Sequence, residues 1–309
     1  MKDFSPTTVI KRKTIGGIRN VLKAVKLEDY LYKQNRNNLR LQRQGIQDIT
    51  LSAKGGLDIN KATALIERQG IAIITDYFEE DLINKAGSEL GNFIKDFDKN
   101  KQGETYGEYN EVEWQYFGHK YNKSEITNMP IVNIRNKDKG KNDGGMIDVY
   151  NVDKIAEKKS LSASLELFEK LKSGDINTLT NNLMKGYNSR FNLYFNDSIL
   201  NTRGAHRDDY ETTYKVFTYL TDVTDESYGP YAFVPGSQKV HDYLNREIAL
   251  NNFFGKDFGD ISSMPDDLFV KCIGKKGTVI ISDQSGVHRG VPQADGKVRL
   301  ALVNSFIKT

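Results

Sequence analysis

The spacing of apolar residues divides the chain into a helical first part and a strand-rich second part. Apolar positions recur every three or four residues in four segments, which predicts amphipathic helices at residues 59–69, 82–94, 161–171 and 176–184. Gly70 follows the first helix, where a left-handed cap is expected. Alternating or β-rich segments bounded by Gly, Asp and Pro predict strands at residues 71–75, 189–195, 213–220, 231–234, 268–273, 278–282 and 298–307.

This order of elements predicts an α+β protein. Most helices precede most strands, so the strands are expected to form their own sandwich or barrel rather than a βαβ sheet. The chain has no P-loop and no Gly-x-Gly-x-x-Gly motif. Nucleotide-binding folds therefore have no support.

A basic amphipathic helix is predicted at residues 15–31. It either packs its apolar stripe on the body of the protein, the commoner arrangement, or lies on an anionic membrane or nucleic acid. We favour packing and expect no nucleic-acid partner. The formal net charge of +3 is the sum of unlike parts, +8 over residues 1–44 and −5 over the rest.

These patterns divide the chain into a basic helical N-terminal extension, residues 1–57, and a main domain, residues 58–309. Residues 45–57 are interpreted as a connector. Residues 98–150 combine aromatic side chains with a charged, glycine-rich stretch and show little periodicity. Such a segment is typical of a lid or substrate-binding loop, and a surface insertion without a binding role is the alternative.

Composition narrows the class of protein further. With 38% hydrophobic and 28% charged residues, the chain is neither collagen-like nor strongly disordered. Its single cysteine, Cys272, excludes an internal disulfide and is interpreted as a small apolar strand residue. No apolar run reaches the roughly 18 residues of a membrane-spanning helix, and no secretory signal begins the sequence. A cytoplasmic location is expected.

Two of the four histidines can form a metal site with one carboxylate. His206 and Asp208 are two residues apart, so in an extended segment both side chains point to the same side. His288 follows the strand predicted at residues 278–282, and a closed β-domain can bring it beside that pair. Two imidazoles and one carboxylate leave three positions open on an octahedral ion, which suits non-haem iron(II) oxygenases. Arg299, in the last strand, can form a bidentate ion pair with a dicarboxylate cosubstrate.

Residues 192–306 resemble the phytanoyl-CoA dioxygenase-like branch of the iron(II)/2-oxoglutarate oxygenases. The matching segments are His206-Arg-Asp208, the turn Gly229-Pro-Tyr-Ala-Phe-Val-Pro-Gly-Ser-Gln-Lys239, and His288 followed eleven residues later by Arg299. Residues 65–78 are similar to the N-terminal helix and strand of that family. Together these segments cover most of residues 58–309. The resemblance implies a double-stranded β-helix core, of the jelly-roll or cupin-like type, flanked by N-terminal helices.

The resemblance also implies roles for individual residues. His206, Asp208 and His288 would bind Fe(II), and Arg299 would bind the far carboxylate of 2-oxoglutarate. Asn192, on the strand before the metal motif, would contact the cosubstrate. No further acid or base is needed beyond the metal ligands.

Two departures from the family pattern stand out. The family's Pro-Gly-Ser-His turn ends in Gln238 here, at a position that is not a ligand. Many members have His-x-Ser after the distal histidine, whereas this chain has His288-Arg-Gly290. The contacts to the near carboxylate of 2-oxoglutarate are therefore left unassigned.

The implied activity is O2-dependent oxidation of a small molecule, coupled to decarboxylation of 2-oxoglutarate to succinate. Hydroxylation, cyclisation and desaturation are all open. Candidate substrate-binding residues are Arg190, Arg203, Arg207, Trp114, Tyr116 and Arg135. Arginines near the metal suit an anionic substrate, and surface or structural ion pairs are the alternative.

Two other functions compete with this interpretation. One is a non-catalytic jelly-roll binding protein, which would be favoured if a ligand position were lost. The other is a cupin-like isomerase or hydrolase that holds zinc or manganese with the same three side chains. Arg299 favours the oxygenase, because such enzymes need no anchor for a dicarboxylate.

Overall fold

The computed structural model describes residues 41, 43–99, 130–134, 143–184, 187–208, 213–240, 244, 260–261 and 264–308. The helices in these ranges are α1 (Ile59–Gln69), α2 (Glu80–Lys99), α3 (Val152–Lys159), α4 (Ser162–Ser173) and α5 (Asp175–Leu183). The strands are β1 (Thr50–Ser52), β2 (Ile71–Thr75), β3 (Ile131–Ile134), β4 (Ile147–Tyr150), β5 (Tyr187–Asp197), β6 (Tyr214–Tyr219), β7 (Tyr231–Phe233), β8 (Val270–Lys271), β9 (Val279–Asp283), β10 (His288–Gly290) and β11 (Val298–Lys308). Short 3-10 helices cover Ile46–Ile49, Ser237–Lys239 and Asp266–Leu268.

The strands form a large sheet and a small sheet that face each other. The large sheet has the order β1-β2-β9-β6-β11-β5-β4-β3, and the small sheet has the order β10-β7-β8. The β1–β2 pair is parallel and the other named pairs are antiparallel. Phe217 of the large sheet stacks on Tyr231 of the small one with ring centroids 4.7 Å apart. The inner faces of the two sheets are thus in direct contact.

The helices cover the outer face of the large sheet. Side chains alternate between the two faces of a strand, and in β5 the odd-numbered Phe191 and Leu193 point to the helices, fully buried. The ring of Phe168, on α4, lies 4.9 Å from that of Phe191. The main apolar core therefore lies between sheet and helices, which leaves the inner face of the sheet free to carry polar side chains. A smaller cluster, which includes Val234 and Val287, packs against the small sheet.

The ends of α1 show how local sequence sets an element. Asp58 caps its N-terminus by accepting a hydrogen bond from the backbone N–H of Lys61 at 2.9 Å. Gly70 ends it with φ of 75°, in the left-handed region that glycine adopts without strain. The predicted helix 59–69 and its glycine cap are confirmed.

The structure adds elements that the hydrophobic pattern did not indicate. The connector predicted at residues 45–57 is wrong in part, because Thr50–Ser52 pairs with β2 and extends the large sheet. Within the candidate lid, residues 98–150, Ile131–Ile134 and Ile147–Tyr150 pair as β3 and β4 at the other edge. Val132 and Val149 are buried there, so part of this segment belongs to the core. The helix predicted at residues 15–31 lies outside the described residues.

None of the helices in the described ranges is long and apolar enough to span a bilayer.

Glu89 caps α4 from another helix, and its removal is expected to destabilise the protein. Its carboxylate accepts hydrogen bonds from the backbone N–H of Ala163 at 3.2 Å and from that of Ser164 at 2.8 Å. It also accepts from the Ser164 hydroxyl at 2.7 Å. We expect Glu89→Ala to lower the free energy of unfolding by about 0.5–2 kcal/mol, the range for a lost N-cap, as measured by urea denaturation.

Glu166→Ala is the matched control for this experiment. Glu166 lies on α4 itself, but its partner Lys170 is exposed and four residues away. Such a pair contributes about 0.3–0.5 kcal/mol. Equal losses in the two variants would show that Glu89 has no capping role.

Candidate metal centre

The backbone brings His206 and His288 together. The N–H of His206 donates to the carbonyl oxygen of His288 at 3.0 Å, and the N–H of His288 donates back at 2.9 Å. The N–H of Asp208 donates to the carbonyl oxygen of Gln284 at 3.1 Å, which fixes the third residue beside them. One ligand atom from each of His206, Asp208 and His288 lies within 4.8 Å of the others.

Hydrogen bonds also fix the tautomer of both imidazoles. Nδ1 of His206 lies 2.7 Å from the carbonyl oxygen of Gly204, and Nδ1 of His288 lies 3.0 Å from that of Gly286. A carbonyl oxygen only accepts, so each Nδ1 carries the proton. In the neutral imidazole each Nε2 then keeps a free lone pair, as a metal ligand requires.

The charges in the centre favour a neutral imidazole beside an ionised carboxylate. Burial lowers the pKa of His288, and the neighbouring His206 lowers it further. Burial raises the pKa of Asp208, but the ammonium of Lys215 opposes this effect, and the pKa of Asp208 is held well below its usual range. Nζ of Lys215 lies 2.6 Å from Oδ2 of Asp208. These shifts favour the protonation states in which His288 and Asp208 bind a cation.

Arg299 is held on β11 by neutral oxygen atoms. Its guanidinium donates to the carbonyl oxygen of Gly229 and, at 3.2 Å, to Oδ1 of Asn196. Burial lowers the pKa of Arg299, although an arginine stays protonated in proteins. Among the described residues its Nε has no hydrogen-bond partner. A partly buried cation with spare donors is well suited to bind an anion.

The turn that carries the carbonyl oxygen of Gly229 requires glycine at this position. Gly229 has φ of 68°, and a Cβ atom there would lie 2.5 Å from Cγ of Gln293 and 2.7 Å from the carbonyl oxygen of Val291. A larger residue would displace the turn and with it one of the groups that orient Arg299.

The candidate metal ligands and Arg299 line the same cavity, which has a volume of about 230 Å³. It lies between the two sheets and is lined by the three candidate ligands, by Arg299 and by polar side chains of the large sheet. The polar side chains that the sequence analysis did not single out include Asn196, Lys215 and Gln284. The sequence signal for Lys215 is its charge, because the rest of β6 is mostly apolar or aromatic.

Asn192 lies on the same face of β5 as Asn196 but farther from Arg299. It pairs with Val303 on β11, whereas Asn196 pairs with Arg299 itself. The Asn192 side chain is 1% exposed and its amide lies 3.5 Å from the Ser305 hydroxyl. It is not among the residues that line the cavity. Its contact with the cosubstrate stays a prediction.

The candidate substrate-binding residues occupy different places. Arg203 lines the cavity and pairs with Asp260 at 3.5 Å. Arg207 is 3% exposed, and Arg190 lies over the ring of Tyr150; neither lines the cavity. Trp114, Tyr116 and Arg135 lie outside the described residues, as do His119 and His241.

Cys272 is fully buried on the small-sheet side, and its Sγ lies 3.8 Å from the carbonyl oxygen of Val270. Burial raises the pKa of its thiol, so the reactive thiolate is disfavoured. This environment agrees with the interpretation of Cys272 as a packing residue.

The fold and the site together define a candidate metal centre with two histidines and one carboxylate in a jelly roll. Two histidines and one carboxylate lie between the facing sheets of a jelly roll, with three sides of a bound ion left to other ligands. The partly buried Arg299 shares their cavity.

Comparisons with known proteins agree with this description at the level of the fold. No protein-family model matches the chain, and no curated protein sequence matches it. Among solved structures, the chain is similar to SnoK, a non-haem α-ketoglutarate-dependent carbocyclase from nogalamycin biosynthesis. The TM-score is 0.51 at 15% identity, over 84% of this chain and 87% of SnoK. This likeness confirms the predicted α+β, double-stranded β-helix fold.

Two further structures have lower scores. AviO1 from Streptomyces viridochromogenes Tue57 is 18% identical over 82% of this chain and 96% of its own, with a TM-score of 0.48. EctD from S. alaskensis with bound Fe is 12% identical over 80% of this chain and 76% of its own, with a TM-score of 0.49.

Proposed function

We propose that this protein is a non-haem iron(II)- and 2-oxoglutarate-dependent oxygenase that acts on a small molecule. The observation that carries the proposal is the shared cavity. Within it, Nε2 of His206, Nε2 of His288 and a carboxylate oxygen of Asp208 converge, and the partly buried guanidinium of Arg299 faces the same space. The three candidate ligands alone could bind several metal ions. The arginine adds a binding group for an anion, which favours an enzyme with an anionic cosubstrate.

The three side chains fit iron(II) by their donor chemistry. Nδ1 of each imidazole contacts a backbone carbonyl oxygen, so Nε2 is the ring nitrogen turned to the site, and the lowered pKa of Asp208 favours the ionised carboxylate that binds a cation. When bound, iron(II) and 2-oxoglutarate supply O2-dependent oxidation coupled to the release of succinate and carbon dioxide. The chain's own share is to position these groups and to exclude side reactions.

Arg299 would bind the far carboxylate of 2-oxoglutarate. Its fork of N–H groups matches a carboxylate in two-pronged geometry. The side chain of Asn196 and the carbonyl oxygen of Gly229 accept hydrogen bonds from the guanidinium and orient it. Because the side chain is partly buried, the ion pair would be screened by salt less than a surface pair.

The substrate is proposed to be a small molecule, oxidised by hydroxylation or by the related cyclisation or desaturation. Arg203 is the candidate substrate residue that lines the cavity, and an anionic substrate stays a prediction. We keep the cytoplasm as the proposed location, because a lone cysteine requires no oxidising compartment.

The test uses the purified full-length chain, loaded without oxygen with iron(II) and 2-oxoglutarate. We expect a visible charge-transfer band that needs both additions, and slow succinate release once air is admitted. Protein that stays colourless and forms no succinate would overturn the proposal. Tight binding of zinc or manganese without any effect of 2-oxoglutarate would instead favour the isomerase or hydrolase.

A further inference from the structure

Lys215 is the cation closest to the candidate metal ligands among the described residues. It lies on β6, where Lys215, Phe217 and Tyr219 alternate and all line the cavity. Its side chain is 25% exposed, and that of Asp208 is 31% exposed. In the register of the sheet its neighbours are the neutral Ser282 and Ser305. The ammonium thus reaches the site from the inner face of the sheet.

The two oxygens of Asp208 have different surroundings. Oδ2 lies 2.6 Å from the ammonium of Lys215, which is a short, charge-assisted hydrogen bond. Oδ1 lies 3.5 Å from Nε2 of His206, and Oδ2 lies 3.7 Å from Nε2 of His288. Oδ2 is therefore engaged by a donor, whereas Oδ1 faces Nε2 of His206.

We propose that Lys215 is a positioning residue that holds Oδ2 of Asp208, so that the carboxylate offers a metal ion Oδ1 alone. This inference rests on the proposed function. With Asp208 held to one oxygen, the three side chains would leave three of the six positions of an octahedral ion to other ligands. A two-oxygen Asp208 would take one of these three. Lys215 would therefore preserve the vacancy that the reaction needs.

Two other roles for Lys215 make different predictions. If the ion pair only stabilises the fold, its removal changes metal affinity little. If the ammonium only repels or competes with the cation, removal of its charge strengthens metal binding. The positioning role alone predicts weaker binding, because hydrogen-bond partners of metal ligands typically contribute 10- to 100-fold to affinity.

The test measures cobalt(II) binding by calorimetric titration, with cobalt as an ion that does not oxidise in air. We expect Lys215→Met to bind cobalt about 10- to 100-fold more weakly than the unaltered chain. Lys215→Arg, which keeps both charge and donor, is expected to restore most of the affinity. Lys271→Met is the control, because Lys271 is also a partly exposed strand lysine in an ion pair, with Glu226, away from the centre.

Each outcome decides between the roles. Binding by Lys215→Met that equals or exceeds that of the unaltered chain overturns the positioning role and leaves the proposed function standing. An unaltered chain that binds no cobalt overturns both. If Lys215→Met does not fold by circular dichroism, Lys215→Gln, which keeps a shorter donor, is measured instead. Weaker binding by Lys215→Gln supports the proposal, and equal or tighter binding overturns it.

Discussion

Replacing His206 with alanine is expected to abolish the charge-transfer band and succinate formation together. The imidazole supplies one of three protein ligands, and its loss is expected to weaken metal binding by more than the roughly 100-fold that loss of a ligand's hydrogen-bond partner causes. The backbone N–H and carbonyl groups that pair with His288 remain in the variant. We therefore expect a folded protein that binds iron(II) poorly, as measured by titration and by the visible spectrum.

His241→Ala provides the comparison for this variant. The sequence offers His241 no ligand partner at useful spacing, so its replacement is expected to leave both the band and succinate release intact. An undiminished band in His206→Ala would show that the metal binds elsewhere. That result would contradict the assignment of the centre.

Replacing Arg299 with glutamine is expected to weaken 2-oxoglutarate binding by about 30-fold to several thousand-fold. This range corresponds to the roughly 2–5 kcal/mol lost when one partner of a buried charge pair is removed. Iron(II) affinity in the absence of 2-oxoglutarate is expected to stay unchanged, because Arg299 is not a ligand. The measurement is the growth of the charge-transfer band with 2-oxoglutarate concentration.

Pyruvate makes this experiment specific. It carries the same 2-oxo acid group but lacks the far carboxylate, so its weaker binding is not expected to depend on Arg299. The preference for 2-oxoglutarate over pyruvate should therefore collapse in Arg299→Gln. If both acids lose affinity equally, Arg299 supports the cavity as a whole and does not bind the far carboxylate. Arg299→Lys keeps the charge but lacks the fork of N–H groups. Its affinity for 2-oxoglutarate should lie between that of the unaltered chain and that of Arg299→Gln.

The candidate ligands could be predicted from the sequence because their spacing carries the information. His206 and Asp208 lie on one side of an extended segment, and His288 and Arg299 flank a turn between strands. These local relations survive in the structure, where both histidines and Asp208 converge and Arg299 shares their cavity.

Which residue of one strand lies opposite a given residue of the next could not be predicted in the same way. Alternation places Asn192 and Asn196 on the same face of β5, but the register with β11 decides which of them meets Arg299. Register depends on pairing between distant strands, which a single sequence does not reveal. The charge of Lys215 within β6 is visible in the sequence, but its contact with Asp208 arises from tertiary structure and could not be predicted.

Short strands could not be predicted from the periodicity of apolar residues either. Strand β1 has three residues and β10 has three, too few to show an alternating pattern. Their strand character comes from hydrogen bonds to β2 and β7. The sequence could therefore indicate the class of fold, whereas the edges of the sheets depend on contacts with partner strands.

The paired backbone of His206 and His288 makes the metal centre a property of the folded chain and not of the ion. Segments 82 positions apart are joined by two peptide hydrogen bonds, so the entropy of closing that loop is lost during folding, before any metal arrives. The ion then meets donors already gathered, unlike in zinc fingers, where metal binding and folding are one event. We therefore expect that a bound ion can leave and return without unfolding of the chain.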